Sequence, residues 1–429
     1  MFWLSLVLVL VNFNYIQSYV RYQPEQIHLS LGDNGRDVVV TWSTPDVVGE
    51  SIVEYGIGEI TLRAIGNPGG VFTDDGIEKR RQEIHRVKIS NLEPNTIYKY
   101  RCGSRKGWSS VYWFKTLPAG DSWIPNIAIY GDLGNIEAIS LPQLQKEAQN
   151  GMYHAIFHIG DFAYDMEVDN GRYGDEFMRQ IEPIAGYVPY MTCPGNHESA
   201  YNFSHYRTRF TMPGGNQGLY YSLNMGPVHF IFFSSEVYYD SQYPGPQRQY
   251  NWIVDDLKEA TKPENRAKRP WIIALAHQPM YCTSFNQDDC TVSRTKTRVG
   301  MGNPPKYGLE PLFYENGVDM QIWAHEHTYE RFYPIYDYKV LNGSIDEPYV
   351  NPKAPVHIIT GSAGCEEGHD FFTPKSPEWS AYRSRDYGYS RLKVYNNTHL
   401  YMEQVSTTAD KVIDEFWIIK NSHGPYNSL

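Results

Sequence analysis

Seven side chains with oxygen or nitrogen donors occur in five short segments, and each segment follows an apolar, strand-like run. The segments are Tyr-Gly-Asp132, Gly-Asp161-Phe-Ala-Tyr164, Gly-Asn196-His197, Ala-His277-Gln and Ala-His325-Glu-His327. When strands alternate with helices, a strand that ends in a short loop delivers its side chain to the carboxyl edge of the sheet, where sites form. The sequence therefore predicts that these donors meet in one site.

The donor types suit two metal ions held side by side. An aspartate can bridge two ions because its carboxylate has two oxygens. His325 and His327 lie two residues apart, so on extended backbone they point the same way and can reach neighbouring ions. Asn196 offers a neutral oxygen, which leaves its metal electrophilic. Two such cations can ionise water and neutralise phosphoryl oxygens, so the chemistry indicated is hydrolysis of a phosphate ester.

The five segments in this order resemble the metallophosphoesterase superfamily, and Tyr164, three residues after Asp161, narrows the resemblance to the purple acid phosphatases. By this resemblance, Asp161 bridges two metals. The resemblance assigns Asp132, Asp161, Tyr164 and His327 to the first metal, and Asp161, Asn196, His277 and His325 to the second. It also implies that His197, next to Asn196, contacts the phosphoryl group and protonates the leaving oxygen.

Tyr164 also predicts which metals bind. A tyrosine hydroxyl has a pKa of about 10, and a strongly acidic cation such as Fe(III) can hold it as phenolate at low pH. The histidine-rich second site suits Zn(II), Mn(II) or Fe(II). The expected activity is that of an acid phosphatase of the EC 3.1.3.2 type, in which hydroxide on the Fe(III)–M(II) pair attacks small phosphate monoesters. Whether that oxygen bridges the metals or is terminal on iron stays open.

Two other functions remain open. One is a phosphodiesterase or nucleotide hydrolase that uses Mn or Zn in the same cage. The other is a glycosylated, non-catalytic binding protein with a degenerate site. The segment after His277 lacks the second substrate-facing histidine that many relatives carry. Asp288 or Asp289 could replace it as an acid, although a solvated loop closed by a disulfide is the simpler interpretation.

Composition limits the partners. The 429-residue chain has a net charge of −11, which argues against a broad surface for nucleic acid or anionic membrane. After the N-terminus no apolar run is long enough to span a membrane. The family resemblance leaves a homodimer open, but no interface can be read from the sequence.

Several features indicate a secreted, lysosomal or other lumenal protein. Residues 1–18 read as a signal peptide, although no basic residue precedes its apolar run. Asn202, Asn342 and Asn396 each begin a sequon for N-glycosylation. The cysteine count is five, and Cys282 and Cys290 enclose a short loop that a disulfide can close. The remaining cysteines cannot all pair with one another; they are Cys102, Cys193 and Cys365.

Two domains are expected. Residues 19–117 alternate as six or seven short strands, and the segment at Tyr98 resembles the tyrosine corner of fibronectin type III domains, so an all-β, fibronectin-III-like sandwich is predicted. Residues 124–420 alternate strands with helices at Leu141–Asn150, Asp175–Ile181 and Gln247–Ala260, which favours a layered α/β domain. The family resemblance implies that this is a catalytic domain of four α/β/β/α layers. Residues 354–420 return to strands, which we expect to complete the second sheet of that domain.

Overall fold

The computed structural model describes residues 21–240, 243–285, 290 and 294–426. The predicted signal peptide at 1–18, together with Asp288 and Asp289, lies outside these residues. The N-terminal strands are β1 (Glu25–Leu31), β2 (Val38–Thr44), β3 (Ile52–Gly56), β4 (Leu62–Ile65), β5 (Gly70–Thr73), β6 (Arg81–Ile89), β7 (Ile97–Ser104), β8 (Gly107–Trp108) and β9 (Tyr112–Lys115).

These strands form two antiparallel sheets, one in the order β1-β2-β6-β5 and the other in the order β4-β3-β7-β8, with β9 also paired to β7. Residues from both sheets form one buried cluster, which includes Trp42 of β2 and Tyr100 of β7. The Tyr98 hydroxyl accepts a hydrogen bond of 3.0 Å from the backbone N–H of Glu93. A bond back to the upstream backbone is the contact expected of a tyrosine corner.

The catalytic region is built on two larger sheets and four short strands. Its strands are β10 (Asn126–Tyr130), β11 (Ala155–Ile159), β12 (Tyr190–Cys193), β13 (Tyr220–Met225), β14 (Val228–Phe233), β15 (Trp271–Leu275), β16 (Gly300–Met301), β17 (Lys306–Tyr307), β18 (Met320–Trp323), β19 (Tyr329–Phe332), β20 (Ile335–Tyr336), β21 (Lys339–Val340), β22 (Val356–Thr360), β23 (Ser380–Ser384), β24 (Gly388–Val394), β25 (His399–Ser406) and β26 (Lys411–Ile419).

The six-stranded sheet has the order β12-β11-β10-β24-β25-β26, and its first three strands are parallel. The seven-stranded sheet has the order β13-β14-β15-β18-β22-β19-β23, with parallel pairing from β14 through β22. Every residue of β11 and β15 is buried. Such continuous apolar runs are typical of parallel strands that are covered on both faces.

The expectation that residues 354–420 complete the second sheet holds for β22 and β23 but is wrong for β24, β25 and β26. In the structure β22 and β23 join the seven-stranded sheet, but β24, β25 and β26 extend the six-stranded sheet from β10. The alternating pattern identified strands, but it carries no information about which open edge each strand pairs with.

The helices predicted from the sequence are present. The α-helices of the described residues are α1 (Leu141–Gln149), α2 (Val168–Ala185), α3 (Ala200–Arg209), α4 (Gln247–Ala260), α5 (Pro263–Arg266), α6 (Lys296–Val299) and α7 (Leu309–Glu315). Proline in the first turn of α1 has a fixed φ suited to a helix start. Within the described residues, no helix is both long and apolar enough to cross a membrane.

The first turn of α2 is not regular. Asp169 and Asn170 have φ values of 49° and 54°, and Gly171 follows with φ of 78°. Left-handed backbone costs an L-residue roughly 1–2 kcal/mol. The surrounding contacts must therefore hold this turn in place.

Candidate dinuclear metal centre

Five strand ends bring the predicted donors together. Asp132, Asp161 and Asn196 follow β10, β11 and β12 of the six-stranded sheet, whereas His277 and His325 follow β15 and β18 of the seven-stranded sheet. Within each sheet these strands are parallel neighbours, so their carboxyl ends lie side by side. The site forms where the two edges meet. His277 Nδ1 lies 3.0 Å from the carbonyl oxygen of Ile159, across the two sheets.

Four of the donors stand on strained backbone. The φ angles are 59° at Asp132, 52° at Asp161, 55° at Tyr164 and 70° at His325. Non-glycine residues rarely adopt such angles, and residues in these conformations cluster at functional sites because the surrounding structure over-determines them. The loops that present these four donors are therefore held in shape by the structure around them.

One group of donors contains Asp132, Tyr164 and His327. The Tyr164 hydroxyl lies 2.8 Å from His327 Nε2 and 3.4 Å from Asp132 Oδ1. His327 Nε2 lies 3.5 Å from the same carboxylate oxygen. The three atoms form a compact triangle with no bulky group between them.

The second group contains Asp161, Asn196, His277 and His325. His277 Nε2 lies 3.0 Å from Asp161 Oδ2, 3.1 Å from Asn196 Oδ1 and 3.3 Å from His325 Nδ1. Ligand atoms of Asp161, His277 and His325 all lie within 4.8 Å of one another. The backbone N–H of His325 donates to Asp132 Oδ2 at 3.0 Å, which ties this group to the first.

These separations suit metal coordination. Donors that bind one ion at about 2.1 Å, roughly at right angles, lie about 3 Å apart. The imidazoles are also oriented for binding. His277 Nδ1 and His327 Nδ1 lie 3.0 Å and 2.8 Å from the carbonyl oxygens of Ile159 and Gly368, so each can donate there and leave Nε2 for an ion.

The two buried carboxylates of the site also favour the binding of cations. Asp132 and Asp161 are 0% and 1% exposed, and within the described residues neither pairs with lysine or arginine. Buried carboxylates need compensating positive charge. The basic side chains that pair with them in the described residues are imidazoles. Burial by itself lowers the pKa of His277, but Asp161 and Asp132 raise it to about 10.

The pKa values of His327 and Tyr164 are also set by burial and by the charge of nearby carboxylates. Burial opposes protonation of His327, but contact with Asp132 raises its pKa to about 12. Burial, followed by the charge of Asp132, raises the pKa of the Tyr164 hydroxyl well above its usual value. Without a cation the site therefore holds protons on its donors. Metal binding displaces such protons, so the donor set fits a pair of cations.

Two glycines allow this close packing. A Cβ on Gly160 would lie 2.4 Å from His277 Nδ1, and a Cβ on Gly195 would lie 2.2 Å from Asp161 Oδ1. Glu198, which is 3% exposed, accepts hydrogen bonds from the backbone N–H groups of Asp161 and Gly195 at 2.9 Å and 2.8 Å. Glu198 therefore holds both loops together.

His197 lies at the edge of the site and is partly exposed. Its Nδ1 lies 2.8 Å from Asp165 Oδ1, and its Nε2 lies 4.0 Å from Asp161 Oδ2. Its ring packs against Tyr164 with centroids 4.6 Å apart. Burial opposes the charge, but the hydrogen bond to Asp165 raises the pKa of His197 to about 9. A protonated His197 can donate a proton from Nε2.

The sequence analysis missed Asp165, although it directly follows Tyr164. In the structure His369 is half-buried, and its Nδ1 lies 3.2 Å from the His327 carbonyl oxygen. Asp370 accepts a hydrogen bond of 2.7 Å from the backbone N–H of His327. The Gly-rich run that ends at Asp370 was the available signal, because such loops often approach a site closely.

The other predicted residues lie away from this centre or beside it. Cys282 and Cys290 form a disulfide. Cys102, Cys193 and Cys365 are unpaired and buried, and Cys365 Sγ lies 3.5 Å from His327 Nδ1. Two of the sequon asparagines, Asn202 and Asn396, are exposed, whereas Asn342 is half-buried. Their glycosylation stays a prediction.

Three family models match the chain. They describe the purple acid phosphatase N-terminal domain over residues 24–116, the calcineurin-like phosphoesterase over 125–329 and the iron/zinc purple acid phosphatase-like protein C over 354–415. "Acid phosphatase type 7" of Danio rerio is 54% identical over 411 residues, which cover 94% of this chain and 93% of that protein. This chain belongs to the purple acid phosphatase family.

More distant relatives agree. "Fe(3+)-Zn(2+) purple acid phosphatase 12" of Arabidopsis thaliana is 28% identical over 92% of this chain and 85% of its own length. The solved purple acid phosphatase PPD1 from yellow lupin (Lupinus luteus) seeds has a TM-score of 0.78 at 26% identity, covering 93% of this chain and 75% of that chain. Family membership and the gathered donors support a dinuclear metal centre in this phosphatase.

Proposed function

We propose that this phosphatase hydrolyses small phosphate monoesters at two cations held by the two donor groups. The observation that carries the proposal is the pair of buried carboxylates of Asp132 and Asp161. Imidazoles lie next to them, and among the described residues no lysine or arginine pairs with either one. The residues that would hold the cations are Asp132, Asp161, Tyr164, Asn196, His277, His325 and His327. Asp161 is the proposed bridge between them.

The chemistry divides between the cations and the chain. When bound, two cations supply charge neutralisation for phosphoryl oxygens and lower the pKa of water. His197 supplies the proton for the leaving oxygen, since its Nε2 lies at the edge of the site and Asp165 holds its Nδ1. The left-handed loops and the brace at Glu198 keep the donors from relaxing apart, so little reorganisation is needed when substrate binds.

We further propose Fe(III) in the site of Tyr164, with Zn, Mn or Fe(II) in the histidine-rich site. The support is chemical: burial and two carboxylates oppose ionisation of Tyr164, so only a strongly acidic cation favours its phenolate. The name of the Arabidopsis relative, which gives Fe(3+) and Zn(2+), also supports an iron–zinc pair.

The finer architecture and the location of the protein are also proposals. We propose a fibronectin-III-like sandwich at 19–117 and a four-layer α/β/β/α catalytic domain at 124–420, with 354–420 as its C-terminal strand segment. Two antiparallel sheets around one core support the first, and two large sheets flanked by helices support the second. The apolar N-terminal run, the disulfide and the exposed sequons support secretion or a lysosomal location.

Metal analysis, visible spectroscopy and a substrate comparison test the proposal. We expect one iron and one divalent metal per chain, with a broad visible band that Tyr164→Phe abolishes. We also expect faster turnover of p-nitrophenyl phosphate than of bis(p-nitrophenyl) phosphate at acidic pH. Two zinc ions without colour would reject the ferric assignment, and preference for the diester at neutral pH would favour the phosphodiesterase alternative.

A further inference from the structure

The N-terminal domain reaches the elements that carry His197 and its partner Asp165. Some contacts come from β1 and β6, and others come from the loop between β5 and β6, residues 74–80, which we call the β5–β6 loop. It touches two segments of the catalytic domain. The first segment, 164–172, contains Asp165 and the left-handed turn of α2. The second segment, 196–209, contains His197 and α3.

The contacts to the first segment are made at its strained turn. The backbone N–H of Glu78 donates to Asn170 Oδ1 at 3.0 Å, and the Arg80 guanidinium donates to the Asn170 carbonyl oxygen at 2.9 Å. Glu78 also forms an ion pair of 2.6 Å with Arg172. The β5–β6 loop therefore forms hydrogen bonds and an ion pair with the strained turn of α2, and these contacts stabilise its left-handed backbone.

The contacts to the second segment come from the start of the same loop. The Ser204 hydroxyl donates to Asp75 Oδ2 at 2.6 Å. Asp74 Oδ2 lies 3.2 Å from His205 Nε2, and Phe72 packs edge-on against the His205 ring. Ser204 and His205 lie on α3, which begins shortly after the 3₁₀ turn Asn196–Glu198.

A buried ionic network joins the two segments to each other. Asp175 of α2 accepts hydrogen bonds from Arg80 at 2.7 Å and from Arg209 of α3 at 2.8 Å. Arg209 also donates to the Gly171 carbonyl oxygen at 3.0 Å. The Arg209 side chain is 1% exposed and that of Asp175 is 4% exposed. Arg80 of the N-terminal domain, together with Gln26 and Gln82, which also donate to Asp175, thus joins the network that links α2 to α3.

We propose that the β5–β6 loop is a positioning element for the Asp165–His197 pair, and that the N-terminal domain thereby contributes to protonation of the leaving group. This inference rests on the proposed role of His197. Among the described residues, no hydrogen bond or ion pair joins the loop to a predicted metal ligand. It fixes the relative placement of two segments, and so keeps the Nδ1 of His197 against Asp165 and its Nε2 toward the site.

The role predicts a dependence on the leaving group. A general acid matters most for an alkoxide leaving group, which is expelled poorly without a proton, and matters little for a stable phenolate. Displacing the loop should therefore slow hydrolysis of an alkyl phosphate more than that of 2,4-dinitrophenyl phosphate. A loop that only supports folding would affect the turnover of both substrates by the same factor.

Two glycines provide a matched pair of variants. A Cβ on Gly76 would lie 2.6 Å from Asn170 Oδ1 and 3.1 Å from Asn170 Cα, so Gly76→Ala pushes the loop away from the turn. A Cβ on Gly70, in the neighbouring strand β5, meets nothing within 4 Å. Gly70→Ala is therefore the control. Arg80→Gln serves as a second variant, since it removes the bonds to Asn170 and Asp175.

For Gly76→Ala we expect kcat on glycerol 2-phosphate to fall about tenfold, with less than a twofold change on 2,4-dinitrophenyl phosphate. Gly70→Ala should match wild type on both substrates. Hydrogen–deuterium exchange gives a readout independent of activity. Amides in 164–172 and 196–209 should exchange faster in Gly76→Ala and Arg80→Gln than in Gly70→Ala.

A double variant isolates the coupling. If the loop acts through His197, Gly76→Ala should lower kcat on glycerol 2-phosphate by less than twofold in a His197→Ala background. An equal tenfold loss in both backgrounds, equal losses on both phosphates, or unchanged exchange would overturn the inference. Failure of the proposed function looks different, because wild-type protein with metals bound would then hydrolyse neither monoester.

Discussion

Two aspartates in this protein are equally buried, yet their surroundings differ. Asp161, in the metal centre, is 1% exposed and faces imidazoles. Asp319, at the start of β18, is 0% exposed and lies 2.5 Å from Lys420 Nζ, 3.5 Å from an Arg266 nitrogen and 3.2 Å from His423 Nδ1.

The difference shows how a structural acid can be told from a metal ligand. Contacts with Lys420 and Arg266 are permanent, since neither side chain gives up its charge readily, and the Asp319 network fixes the C-terminal segment to the sheet. Imidazoles can give up their protons to become metal ligands, so a cation can take the place of those protons beside Asp161. Burial alone does not distinguish the two residues. The type of positive partner does.

The largest expected effect is the loss of catalysis in Asp161→Asn. An amide cannot bridge two cations with two anionic oxygens, so we expect kcat on p-nitrophenyl phosphate to fall roughly a thousandfold, about 4 kcal/mol of transition-state stabilisation. The protein should stay folded, because the substitution removes a buried charge. Activity, metal content and thermal unfolding of the purified variant measure the three effects. Wild-type activity in Asp161→Asn would show that the cage is not catalytic.

Asp319→Asn should produce the opposite pattern. The substitution leaves Lys420 buried without its carboxylate, and breaking a buried pair in this way costs about 3–5 kcal/mol. We expect a lower free energy of unfolding in urea with kcat within a factor of two of wild type, since Asp319 and His325 lie at opposite ends of β18. A large fall in kcat with unchanged stability would break the comparison.

Some of this contrast could be read from the sequence. The five donor segments were predictable because each follows an apolar strand, and a strand fixes where its last residue points. The contact between Asp165 and His197 was not predictable. The direction of the Asp165 side chain depends on a left-handed backbone at that residue, with φ of 75°. The networks of Asp319 and Asp175 join residues far apart in the chain. Strand patterns do not record such pairings.

Removal of the metals sharpens the comparison. Ligands that bind only the folded state stabilise it by about 4 kcal/mol at a thousand times their Kd. Chelation should therefore lower the unfolding temperature of wild type and of Asp319→Asn by similar amounts. Chelation should lower the unfolding temperature of Asp161→Asn much less, since this variant already binds the metals weakly. Equal responses of all three proteins would place the stabilising metal elsewhere.

The smallest expected effect concerns acid stability at Asp175. Burial by itself raises the pKa of this carboxyl, but Arg209 and Arg80 lower it to about 2. Because the folded-state pKa is depressed, the pair stabilises the protein fully above the unfolded pKa of about 3.9, and this stability is lost as the pH falls through about 2. The contribution is on the order of 2 kcal/mol.

Urea unfolding of Asp175→Asn and wild type between pH 6 and pH 2 measures this contribution. The stability difference between the two proteins should be constant above about pH 4.5 and should shrink below it. An enzyme that works at mildly acidic pH then keeps both its domain contact and its Asp319 network intact. A stability difference that stays constant from pH 6 down to pH 2 would mean that the Asp175 pKa is not depressed, and the contacts with Arg209 and Arg80 would then not stabilise the ionised carboxylate.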